Sequence, residues 1–134
     1  MADTRVFKIL VVDDEPDAVR YLTALLEDNG FATLSASTEL EAMERIHADH
    51  PDLVTLDITM PEQSGVKTYR EIKTHPMLAM IPVIIVTGVA EELKHFISSR
   101  KQVPRPEGYL SKPVDGQAFL NTVRRLLQPA GTAY

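Results

Sequence analysis

The sequence predicts an α/β fold: a five-stranded parallel sheet of order 2-1-3-4-5 with helices on both faces, the flavodoxin-like, doubly wound (βα)5 sandwich. Three observations predict it. Short apolar runs alternate five times with amphipathic stretches, and strict alternation calls for parallel strands joined by right-handed crossovers. The first, third and fourth runs are apolar throughout, as strands covered on both faces are, whereas the second and fifth are short or half-polar and suit the edges. The order 2-1-3-4-5 meets both conditions and puts ligands at the carboxyl ends of the strands.

Each element follows from its residues. Phe7 to Val12 reads as a buried strand that stops at Asp13, Asp14, Glu15 and Pro16. Pro suits the first turn of a helix, and Ala18, Leu22, Leu25 and Leu26 follow at helical spacing until Asn29-Gly30 ends it, Gly accepting the left-handed C-cap conformation. Phe31 to Ala36 alternates like a half-covered edge strand, with Ala32, Leu34 and Ala36 on one face. Thr38 and Glu41 form a candidate capping box for a second helix with Leu40, Met43 and Ile46 inward. Leu53 to Leu56 is a third strand ending at Asp57, Met60 to Gly65 is a loop, and Val66, Tyr69 and Ile72 line a third helix.

Ile81 to Val86, with Pro82 near its start, is the most continuous apolar run and reads as a central strand ending at Thr87-Gly88. A helix carrying Leu93, Phe96 and Ile97 follows, then a short strand from Gly108 to Ser111 before Lys112-Pro113. Asp115 can cap the last helix, whose Phe119, Val123, Leu126 and Leu127 recur at helical spacing. We expect one domain over residues 1–128 and a frayed tail at 129–134, which has no periodicity.

A chain of 134 residues suits one domain, and 44% apolar with 25% charged residues is an ordinary globular balance. The absence of Cys excludes a disulfide scaffold, a thiolate zinc site and a cysteine nucleophile. No apolar run is long enough for a helical membrane span and no signal peptide is visible, so the expectation is a cytoplasmic protein without a membrane partner. A net charge of −5 argues against direct nucleic-acid binding, which depends on clustered Lys and Arg.

The chemistry concentrates at the strand ends. The first strand ends in Asp13 and Asp14, the third in Asp57, the fourth in Thr87 and the fifth in Lys112. The predicted order brings three carboxylates, a hydroxyl and an ammonium to one rim. An Asp after a strand is most often a turn former, but turn chemistry does not account for all of these positions together. Carboxylates held close need a cation between them, and an all-oxygen set suits a hard ion such as Mg²⁺. Lys112 can neutralise phosphoryl oxygens, and an Asp carboxylate can itself accept a phosphoryl group. Asp57, alone on a central strand and facing the acidic pair, is the best acceptor. His47, His50, His75 and His95 have no partner at metal-ligand spacing, the five Met read as core and loop filler, and Gly65 and Gly88 belong to no phosphate-loop motif.

Val11-Val12-Asp13-Asp14-Glu15-Pro16, Leu56-Asp57-Ile58-Thr59-Met60-Pro61, Pro82 to Gly88 and Tyr109-Leu110-Ser111-Lys112-Pro113 resemble the receiver domain of bacterial two-component response regulators, of the chemotaxis-regulator type, from about Lys8 to Leu127. The resemblance implies that Asp57 accepts a phosphoryl group from a histidine kinase or phosphotransfer protein. It implies that Asp14 is a direct Mg²⁺ ligand, Asp13 one acting largely through water, and Thr59 a ligand through its backbone carbonyl. Lys112 then pairs with Asp57 and the phosphoryl group, Thr87 is the switch hydroxyl and Tyr109 the switch aromatic. The fourth helix, fifth strand and fifth helix are then the face read by a downstream partner or a phosphorylation-dependent homodimer.

Two features depart from the family pattern. The stretch 98–107 is long and Pro-rich and adds Arg100, Lys101 and Arg105 near the output face. Val89 stands two places after the switch hydroxyl and cannot orient a hydrolytic water, which predicts a long-lived phosphoryl group. The activity expected is self-phosphorylation and slow self-dephosphorylation rather than turnover. Three other readings fit less well. A haloacid-dehalogenase-type phosphatase needs an acid where Thr59 stands, and a flavin protein would set its phosphate against Asp13-Asp14-Glu15. A phosphorylation-independent interaction module would have no need of the complete acidic set.

Overall fold

The computed structural model describes residues 5–61, 64–88 and 105–128. Five strands form one parallel sheet: β1 (Lys8–Val12), β2 (Ala32–Ala36), β3 (Leu53–Asp57), β4 (Val83–Thr87) and β5 (Gly108–Ser111), in the order β2-β1-β3-β4-β5. Four helices are described: α1 (Pro16–Asp28), α2 (Glu39–Asp49), α3 (Ser64–Thr74) and α4 (Gly116–Leu127). The predicted order and edges are as observed. The predicted helix carrying Leu93, Phe96 and Ile97, most of the long Pro-containing stretch, and the tail lie outside the described residues.

The period of two along each strand splits the interior into two cores. Leu10, Val12, Val54, Leu56, Val83 and Ile85 face α2 and α3 and pack with Ala42, Met43, Ile46, Tyr69 and Ile72. Ile9, Val11, Leu53, Ile84 and Val86 face α1 and α4 and pack with Leu22, Leu26, Phe119, Leu120 and Val123. Burying one such side chain stabilises by about 1.5–3 kcal/mol, so each helix is held by several.

The helix ends follow their sequence signals. Pro16 opens α1, and Gly30 beyond its end has φ +89. Asp115 caps α4 by accepting from the Gln117 amide at 3.0 Å. Thr38 caps α2, accepting from the Glu41 amide at 3.1 Å, but Glu41 reaches back to the Ser37 amide at 2.6 Å, one residue earlier than a capping box requires.

Two expectations are corrected. Leu40 points outward, 72% exposed, while Ala42, Met43 and Ile46 are buried. Leu40 and Ala42 are two positions apart, about 200° round the helix, so the two cannot share a face. β4 begins at Val83 rather than Ile81. Pro82 has no N–H for the ladder, and Ile81 closes a turn onto the Leu78 carbonyl.

Candidate functional site

The ends of β1 and β3 carry the acidic residues onto one rim. Asp13 continues the β1–β2 pairing, its amide donating to the Ala36 carbonyl at 3.0 Å, and its side chain is buried. Its Oδ1 accepts from the Glu15 amide at 2.9 Å, which sets the turn into α1 and leaves Asp14 exposed. Asp57 pairs opposite Val86 and is also buried. Carboxylate oxygens of Asp13, Asp14 and Asp57 all lie within 4.8 Å of one another.

Lys112 extends from β5 over this group. Its amide donates to the Thr87 carbonyl at 2.8 Å, one rung beyond the strand pairing. Its Nζ donates to Asp13 Oδ2 at 2.8 Å, Glu15 Oε1 at 3.1 Å and Asp57 Oδ2 at 3.3 Å. The other Asp57 oxygen, Oδ1, accepts from the Thr59 amide at 2.8 Å and the Thr59 hydroxyl at 2.6 Å. Asp57 is thus held at both oxygens.

The electrostatics are unbalanced. Burial pushes the Asp13 carboxyl above its ordinary value, against the pull of hydrogen bonds from Lys112 and the Glu15 amide, and the charge of Asp57 pushes the same way. Burial alone would lower the Lys112 ammonium. Hydrogen bonds to Asp13 and Glu15, with the charges of Asp57 and Asp13, outweigh it and hold the ammonium above the usual lysine range. A buried carboxyl that resists ionisation beside two others is a donor set short of positive charge. With oxygen as its only donor type it fits a hard divalent cation and not a soft one.

Thr87 is buried at the end of β4 and joins this group through its main chain. Tyr109, in the middle of β5, packs its ring against the core on the α2–α3 side, and its buried hydroxyl has no hydrogen-bond partner among the described residues. Val89 lies outside the described residues.

Two contributors escaped the sequence reading. Glu15 is a third carboxylate on Lys112. Gly65, at the start of α3, lies so close to the end of β3 that a Cβ there would stand 2.1 Å from the Asp57 carbonyl oxygen and 2.7 Å from Ile58 Cα. Only Gly lets α3 begin against the backbone that carries Asp57. No local pattern reveals that contact, and the clue to Glu15 was its place beside the acidic pair.

This arrangement has relatives. Residues 9–124 match the response regulator receiver domain. The chain belongs to that family. It is 34% identical over 120 residues to protein PilH of Pseudomonas aeruginosa, covering 90% of this chain and 97% of that one. It is 31% identical over 122 residues to the polar-differentiation response regulator DivK of Brucella ovis, covering 91% and 97%. Among solved structures, a receiver domain of a signal transduction histidine kinase from Syntrophus aciditrophicus superposes with TM-score 0.82 at 27% identity, covering 96% of each chain. A response regulator receiver domain protein from Clostridium thermocellum gives 0.79 at 32% identity, covering 91% of this chain and 94% of that one.

Receivers are signalling domains of two-component systems. They work with histidine kinases or phosphotransfer proteins and with downstream targets, and are generally non-turnover domains. The acidic cluster of this receiver stands where the family generally binds Mg²⁺. Among the described residues no helix is long and apolar enough to cross a membrane.

Proposed function

We propose that this receiver accepts a phosphoryl group on Asp57 in a Mg²⁺-dependent step and that the modified rim changes which partner the domain binds. The observation that carries the reading is the state of Asp57: buried, oriented at both oxygens, and set in an acidic group that also engages the only ammonium among the rim residues named here. Asp13, Asp14, Asp57 and the Thr59 carbonyl would hold the cation, which would neutralise phosphoryl oxygens beside the acceptor.

The chain's own groups supply the rest. A carboxylate oxygen of Asp57 attacks phosphorus, the bond to the donor's leaving group breaks, and the electron pair departs with that group. Thr59 keeps the carboxylate in its plane through two hydrogen bonds. Lys112 then donates to a phosphoryl oxygen and Thr87 offers its hydroxyl to another, which draws the ends of β4 and β5 toward the group. Tyr109 follows on β5, and its hydroxyl, with no partner among the described residues, gives the ring no polar tether to one position there. A phosphorylation switch then biases two arrangements of this face.

The donor is a histidine kinase or phosphotransfer protein, and the readout a downstream protein or a second copy of the domain. The test is intact mass after incubation with acetyl phosphate and Mg²⁺, for the wild type and Asp57→Asn. One phosphoryl group on the wild type and none on the variant is expected. A wild type that stays unlabelled with folded protein and bound Mg²⁺, or a variant that labels equally, overturns the reading.

A further inference from the structure

Lys112 has three N–H bonds and three carboxylates on them: Asp13, Glu15 and Asp57. No N–H remains for an incoming oxyanion, so one carboxylate must let go when a phosphoryl group arrives on Asp57. Asp13 is 2% exposed and its other oxygen is bound to the Glu15 amide, so it has no room to swing. Asp57 carries the group itself. Glu15 is different. Its side chain is 65% exposed and its carboxylate has Lys112 as its one partner among the described residues.

The backbone explains why Glu15 is placed there. It is the N-cap residue of α1, where a short Ser, Thr, Asp or Asn normally caps the helix. Its side chain makes no capping bond and is free to reach across to Lys112. Its amide, by contrast, is fixed on Asp13. The residue thus has an anchored main chain and a releasable carboxylate at the solvent edge of the site.

We propose that Glu15 is a positioning residue, a placeholder that keeps one N–H of Lys112 until a phosphoryl oxygen takes it. The proposal rests on the acceptor reading above and deepens it. In the step, the phosphorus–oxygen bond of the donor breaks and one to Asp57 forms. Lys112 turns one hydrogen bond from Glu15 to the new phosphoryl oxygen, Glu15 turns to water, and no proton changes owner. Glu15 therefore competes with the phosphoryl group for Lys112 and slows its arrival. An exposed pair is weak, so the competition is modest.

The experiment is the rate of Asp57 labelling by acetyl phosphate at saturating Mg²⁺, for the wild type, Glu15→Gln, Lys112→Ala and the double variant. Asp17→Asn, the same charge change in the first turn of α1, serves as control. Glu15→Gln is expected to label about two to five times faster than the wild type, while Asp17→Asn labels at the wild-type rate. In the Lys112→Ala background, Glu15→Gln should change the rate no more than Asp17→Asn does. A Glu15→Gln rate equal to or below the wild type overturns the proposal. So does an equal acceleration in the absence of Lys112, which would make the effect one of general charge. A wild type that does not label fails the acceptor reading, and the placeholder with it.

Discussion

Two lysines stand at opposite ends of the sheet, each with three hydrogen bonds, and they do opposite things. Lys73, in the last turn of α3, is 1% exposed and donates to the Ala79 carbonyl at 3.2 Å, the Ile81 carbonyl at 2.8 Å and Glu107 Oε2 at 3.0 Å. Glu107 in turn accepts from the Val83 amide at 2.7 Å through Oε1. The group is closed: one ammonium, one carboxylate, and backbone donors and acceptors satisfied around them. It ties the end of α3 to the starts of β4 and β5. Lys112 also has three acceptors, but all are carboxylates and Asp14 stands beside them. That site is left with excess negative charge, as the proposed cation binding requires. What separates a staple from a functional site is the net charge of the acceptors, not the number of bonds.

Three substitutions sharpen the contrast. Gly65→Ala should have the largest effect, because a Cβ 2.1 Å from the Asp57 carbonyl oxygen cannot be relieved by a side-chain rotation. It should cost about 3 kcal/mol and abolish most labelling of Asp57, read by urea unfolding and intact mass. Wild-type values in both would mean that α3 can start elsewhere. Lys73→Met keeps the apolar stem but orphans two carbonyls and a carboxylate. We expect a loss of about 2 kcal/mol, since Glu107 is partly solvated, with labelling unchanged. If labelling fell in step with stability, the two ends of the sheet would not be separable.

Asp13→Asn should move stability the other way. The Asp13 carboxyl is raised in the folded chain, so it favours folding while protonated, and that contribution is lost as pH rises through its folded value. In chelator, the variant should therefore melt above the wild type at and above neutral pH, with the gain shrinking in acid. Its labelling should fall at the same time. Thermal melts across pH test this, and a variant less stable at every pH would refute the account of a carboxylate buried at a cost to folding.

The parts of this molecule that were readable in the sequence are those whose cause is local. The unbroken apolar runs of β1 and β4, Pro16 and Gly30 around α1, and Asp115 before α4 each carry their own signal. The rim was readable because Asp13, Asp57 and Lys112 all end strands, so the fold alone brings them together. Lys73 was not, since it sits next to buried Ile72 on a helix and its carboxylate comes from a residue 34 positions away. Gly65 was not for the same reason: what it avoids is a backbone that no periodicity reports. Leu40 shows the converse, an apolar residue at plausible spacing that the described residues leave exposed.

The Lys112 amide and the Thr87 carbonyl share a rung, so the two residues proposed to meet the phosphoryl group are geared together. Neither can advance toward the anion without carrying the other along or giving up a backbone hydrogen bond, about 1 kcal/mol. Ammonium and hydroxyl would then engage as one event. A receiver wired in this way behaves as a latch, with little reward for stopping halfway.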